Sequence, residues 1–205
     1  MKRRGVGIFV GVLLVVIGLS IIGAAAYMRI SANYKQKRQI NAYEKTIEEF
    51  QKMSRQVPGN SDASPDLKSP SQDINGTVGL LMIPKIDLKV AVGEGVDMDT
   101  LKFAVGHFSN TALPGQKGNF CVAGHRNYTY GEYFNRLDEV KNGDAIIVKT
   151  VKGEYKYKVY EIKVVEPTET SVLDATPDAT ITLVTCTPVR VATHRLIIKG
   201  RLETK

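Results

Sequence analysis

Tryptophan is absent from the 205 residues, and cysteine nearly so, with only Cys121 and Cys186. Two thiols are too few for a disulfide scaffold. Histidine is also scarce: His107, His125 and His194. Three scattered imidazoles and two separated thiols match no metal-ligand spacing, so no metal is expected. A phosphate-cradling G-x-x-x-x-G-K-[ST] loop is missing, and so is any repeat of solenoid period. A basic excess on the folded part is missing too. The formal charge is +7, yet residues 1–72 hold 11 Lys/Arg against 5 Asp/Glu, and residues 73–205 hold 17 against 16. A nucleic-acid-binding domain would carry the surplus itself, so that class is disfavoured.

What is present begins with an uncharged run, Gly5 to Met28, rich in Val, Ile, Leu and Gly. It exceeds the ~20 residues needed to cross a bilayer. A cleaved signal peptide has an apolar stretch of only ~7–15 residues, so the length favours a retained anchor over residues 1–30. Lys2, Arg3 and Arg4 precede the run, and Arg29, Lys35, Lys37 and Arg38 follow it. The two basic clusters oppose each other under the positive-inside rule. Ile40, Tyr43, Ile47 and Phe50 then recur at helical spacing, which predicts a juxtamembrane stalk helix. Pro58 to Ser71 shifts to Pro, Ser, Asp and Gly and reads as a linker. Residues 31–72 thus join the anchor to a domain over 73–205.

Period-two patterning dominates that domain. Ile86, Leu88, Val90 and Val92 alternate with more polar neighbours, and Asn119 to Ala123 forms a short apolar strand. Leu101 to His107 is expected to be a short helix. Ala145 to Val151 and Tyr155 to Val165 predict a hairpin around Lys152-Gly153. Pro167 to Ala179 is a long connection. Ile181 to Val184 and Leu196 to Ile198 complete the strands, with Pro188 stopping the first of the pair. Many short strands with frequent turn signals predict an all-β barrel or sandwich.

Cys186 closes one apolar run, and Arg195 opens the next across a short loop. Positive charge beside a thiol favours the thiolate and can hold an oxyanion. Core packing competes as the role of Cys186, because free cysteine behaves as a small hydrophobe; it is the preferred reading for Cys121, between Phe120 and Val122. Arg195 could equally be one half of a surface ion pair. His125 follows Gly124 and opens a polar stretch. His107 would satisfy helix carbonyls, and His194 should face away from Arg195. Elimination leaves His125 as the partner of a nucleophilic cysteine.

These residues carry a family resemblance. Thr182-Leu183-Val184-Thr185-Cys186, the downstream Arg195, and His125 in its Ala-Gly-His context resemble the sortases. Those are membrane-anchored cysteine transpeptidases of Gram-positive bacteria. The likeness covers about Thr77 to Leu202, including Val172-Leu173-Asp174. It implies a closed eight-stranded β-barrel with its active site in a groove at one end. Cys186 would be the nucleophile, His125 the proton carrier and Arg195 the oxyanion support, with Thr185, Val172 and Leu173 contacting substrate. It also implies an LPxTG-like sorting signal as substrate and an amine acceptor, a lipid-linked peptidoglycan precursor. No cofactor follows from it. The barrel would stand outside the cell on a single membrane span.

Cys-Thr-Pro followed by Thr-His-Arg resembles class D, with E and A behind it. Pro65-Asp66-Leu67 replaces the Asp-Pro-aromatic lid of class C, and Lys205 follows soon after the last strand, so class C is disfavoured. Leu101 to Phe120 holds no Asp or Glu, so no calcium dependence is expected. A pilin-polymerising sortase, a simple hydrolase and a non-catalytic, membrane-tethered peptide-binding barrel are the alternatives.

Overall fold

Helix α1 runs unbroken from Lys2 to Gln56, 55 residues or about 80 Å of helical rise. The computed structural model describes residues 2–56, 76–126 and 133–203. The Pro58–Ser71 linker and the domain start near Gln72 therefore lie outside the described residues. The membrane span and the juxtamembrane stripe, expected as separate segments, form one rod. No proline lies between them. Ser31 turns its hydroxyl back to the Met28 carbonyl at 2.9 Å instead of capping a new helix. Among the described residues, α1 is the one helix long and apolar enough to cross a membrane. Its apolar side chains between Phe9 and Ile22 are largely exposed, as lipid-facing groups would be.

Eight strands follow: β1 (Thr77–Ile83), β2 (Leu88–Glu94), β3 (Val105–His107), β4 (Gly118–Ala123), β5 (Ala145–Thr150), β6 (Gly153–Val165), β7 (Ala179–Thr187) and β8 (His194–Leu202). They close into a barrel in the order β1-β2-β3-β4-β7-β8-β6-β5. Closure leaves no sheet edge to pair with another chain. Only β2–β3 and β4–β7 are parallel. The β5–β6 hairpin and the ends of β4 and β7 stand as the alternation and Pro188 predict.

Two expectations need correction. Ile86 belongs to a 3-10 turn, Pro84–Ile86, and Asp87 then takes a left-handed φ of 53°. Pro84 starts that turn because its fixed φ suits a first helical position; the strand resumes at Leu88. The stretch Leu101 to His107 is not a helix. A single turn, α2 (Met98–Leu101), precedes it, capped by the Asp97 carboxylate, which accepts from the Asp99 and Thr100 amides. Residues 105–107 are β3. Three residues carry too little periodicity to announce a strand, and β3 exists because β2 and β4 both pair with it.

Alternate residues fill the barrel. Phe120 and Val122 of β4, Ile181 and Leu183 of β7, and Leu196 and Ile198 of β8 are all in one core with Tyr157 and Phe134. Their neighbours therefore face outward. The stalk does not stand free of this barrel. Ile40, Tyr43, Ile47 and Phe50 pack on Leu80, Ala91 and Val151. The Tyr43 hydroxyl donates to Val78 O at 3.0 Å.

Candidate active site

The three residues singled out for chemistry meet across three neighbouring strands. Cys186 of β7 pairs directly with Arg195 of β8. On the other side of β7, Ala123 of β4 pairs with Val184. Two bonds carry that parallel register beyond the end of β4. The Gly124 amide donates to Val184 O at 3.1 Å, and the Thr185 hydroxyl donates to Gly124 O at 2.7 Å. Continued one step further, that register brings the His125 backbone level with Cys186. All three are of outward-facing parity and are partly buried. Thiol, imidazole and guanidinium thus share one row on the outer surface, near the end of the barrel.

Each has a distinct environment. Burial lowers the pKa of His125, so its imidazole is neutral near pH 7 and able to accept a proton. Its Nε2 is enclosed and has no hydrogen-bond partner among the described residues. Nη1 of Arg195 donates to Ala192 O at 3.2 Å and His194 O at 3.1 Å, bracing the β7–β8 connection. Among the described residues its other nitrogens make no hydrogen bond. His194 faces the other way, as expected, with Nε2 3.1 Å from Glu166. His107 caps no helix. It is buried at the end of β3, its Nδ1 2.9 Å from Glu94 Oε2.

A family model of the sortase domain matches residues 81–203. The chain belongs to the sortase family. Sortase SrtE1 of Streptomyces coelicolor is 36% identical over 70% of this chain, but the match spans only 44% of that protein. Sortase A of Listeria monocytogenes is 31% identical, with 77% of each chain covered. The structure of a Clostridium perfringens sortase D5 transpeptidase matches with a TM-score of 0.65 and 32% identity, over 83% of this chain and 99% of that one. Sortases are cysteine transpeptidases, and the row just described holds a thiol, an imidazole and a guanidinium, the group types such chemistry uses.

In this sortase the supporting residues were not evident from the sequence. Arg126, next to His125, is only 7% exposed. It donates to Thr187 Oγ1 at 3.1 Å and Asn135 O at 3.3 Å and pairs with Asp138 at 2.7 Å. It therefore clamps the ends of β4 and β7 on either side of the thiol and imidazole. Gly124 is a spacing residue. A Cβ there would lie 2.5 Å from the Phe134 ring. Thr185 is buried, and its hydroxyl is committed to Gly124 O, so it supports the turn that carries His125.

Val172 and Leu173 form part of a 3-10 turn, Ser171–Leu173, in the β6–β7 connection. This connection lies over the outward face of β4 and β7. Asn119 holds it there, donating to Val172 O at 3.0 Å and Asp174 O at 3.1 Å. Its Oδ1 accepts from Thr182 Oγ1 at 2.7 Å and Thr180 Oγ1 at 3.3 Å. Cys121 lies beside this network, fully buried but outside the barrel interior, with its thiol pushed up to about 12 by burial. Asn119→Leu takes their Asn119 partner from two carbonyls and the Thr182 hydroxyl, while Thr180 Oγ1 keeps Thr176 Oγ1 at 2.8 Å. We expect a stability loss of about 3 kcal/mol in urea unfolding. KM for peptide should rise more than kcat falls, because the connection loses its tether. An unchanged KM would show that this connection does not shape the groove.

Proposed function

We propose that this sortase cleaves an LPxTG-like sorting signal after its threonine and joins the new acyl end to an amine of a lipid-linked peptidoglycan precursor. The shared row of His125, Cys186 and Arg195 carries the reading. Sγ of Cys186 attacks the threonine carbonyl carbon while its proton passes to the neutral His125. Arg195 donates to the oxyanion. The C–N bond breaks, the leaving amine takes the proton from His125, and a thioester remains. An acceptor amine then attacks that thioester, His125 takes its proton, and the sulfur departs and is reprotonated. A thioester lacks amide resonance, so it retains enough free energy for a second amide to form.

Val172 and Leu173 belong to the connection that shapes the pocket for the substrate's Leu and Pro, a reading supported by its tether to Asn119 beside β7. In this reading α1 is a single span with Lys2, Arg3 and Arg4 inside and the barrel outside the cell, supported by its apolar length. There, shared attachment to one membrane raises the effective concentration of enzyme and substrates. The likeness to the D5 transpeptidase supports class D.

The test is incubation of the protein with an LPxTG peptide, with and without a cell-wall-type amine, followed by mass spectrometry. The expected product with amine is the ligated peptide, cut between Thr and Gly. Hydrolysed peptide alone under both conditions would rule out transfer to that acceptor. Ligation to a lysine of a pilin-like protein in preference to the amine would favour the polymerising alternative.

A further inference from the structure

The docked helix determines which side of the barrel faces the membrane. Lys35, two turns past the apolar run, makes an early contact; its Nζ sits 4.1 Å from the centre of the Phe103 ring, just before β3. Next, Tyr43 bonds to β1, and Glu44 pairs with Lys89 of β2 at 2.6 Å. Last, Ile47, Glu48 and Gln51 line a groove with Thr150 and Gly153 at the β5–β6 turn. At 1.5 Å per residue the Phe103 contact lies about 10 Å beyond Met28, and the β5–β6 turn about 30 Å.

The helix therefore crosses the barrel from the β3 side, over β2 and β1, to β5. Around the barrel the strand after β3 is β4, which leads to His125. We propose that the β2–β3 connection and the β3–β4 flank rest on the surface of the bilayer that α1 enters, turning the His125 strand towards anionic lipid headgroups. The chemistry of the two sides agrees. Val96 and Met98 on this connection are 37% and 58% exposed. Lys35, Lys37 and Arg38 are exposed on the adjoining helix. The acids of the same connection are engaged. Asp97 caps α2, Asp99 pairs with Lys102, and Glu94 with His107. Apolar tips with unopposed basic side chains suit an interface of acyl chains and negative headgroups.

The absence of tryptophan makes a direct test available. Met98→Trp and Lys152→Trp each place a single indole in the full chain, one on each flank. Both are reconstituted in vesicles of phosphatidylglycerol and phosphatidylcholine, with or without bromine on the acyl chains. Immersion by several ångströms should quench the Met98→Trp emission about twofold and leave Lys152→Trp unchanged. Equal quenching, or the reverse order, would overturn the proposal. An indole can also seek the interface unaided. Adding Ile40→Asp and Ile47→Asp, which undocks α1, should therefore abolish the difference. Quenching that survives undocking would likewise refute it. None of these outcomes depends on which peptide the enzyme cuts.

Discussion

Cys186→Ala should abolish cleavage of an LPxTG peptide, with a loss of about 10⁴-fold or more, while the barrel remains folded. The thiol lies on the outer face and is not part of the barrel core. Its removal should therefore cost little stability, and the melting curve should match the parent. Cys121 provides the internal control. Its thiol is fully buried and held protonated, with its pKa pushed up to about 12. Alkylation should thus modify Cys186 alone, with turnover falling in step. Cleavage retained in Cys186→Ala, measured by chromatography of the peptide products, would reject the nucleophile assignment. Loss of activity accompanied by loss of the folded baseline would show a packing role instead.

Arg195→Lys should also fail, lowering kcat/KM by about 10²–10³, comparable to deletion of an oxyanion donor. Charge is conserved in this exchange, so charge alone cannot rescue it. On the proposed mechanism Arg195 has two tasks at once. Nη1 holds the carbonyls of Ala192 and His194, while the rest of the fork would meet the substrate. A lysine is a compact point charge on a flexible stem and cannot span both. Arg195→Ala should therefore be only slightly worse than Arg195→Lys. Rates for the lysine variant within a few-fold of the parent would confine Arg195 to bracing the β7–β8 connection.

The chemistry of the site was legible because its residues sit at strand ends, where apolar runs meet polar neighbours. Cys186 and Arg195 bracket one short loop, so their pairing follows from a single antiparallel turn. His125 is different. It comes level with Cys186 through the parallel β4–β7 register across 61 positions of sequence, and only elimination and the family likeness joined them beforehand. Arg126 gave no local signal, since an arginine in a polar stretch looks like any surface charge. Its burial depends on Asp138 and Thr187, which come from two other segments. The same is true of the stalk. Ile40, Tyr43, Ile47 and Phe50 announced an apolar stripe, but a stripe does not name what covers it. α2 and β3 were misread because one helical turn and a three-residue strand are shorter than the periods that would reveal them.

The order in which the barrel is assembled has a consequence for when activity appears. Arg195 lies in β8, the last strand in chain order, which inserts between β7 and β6 and seals the cylinder. Until then the β4–β7 pairing rests on distant contacts that are costly to form without the surrounding sheet. If Arg195 is the oxyanion donor proposed above, a nascent polypeptide that already contains Cys186 and His125 should be inert. Competence would come with β8, leaving an unfinished copy no working thiol with which to attack its neighbours.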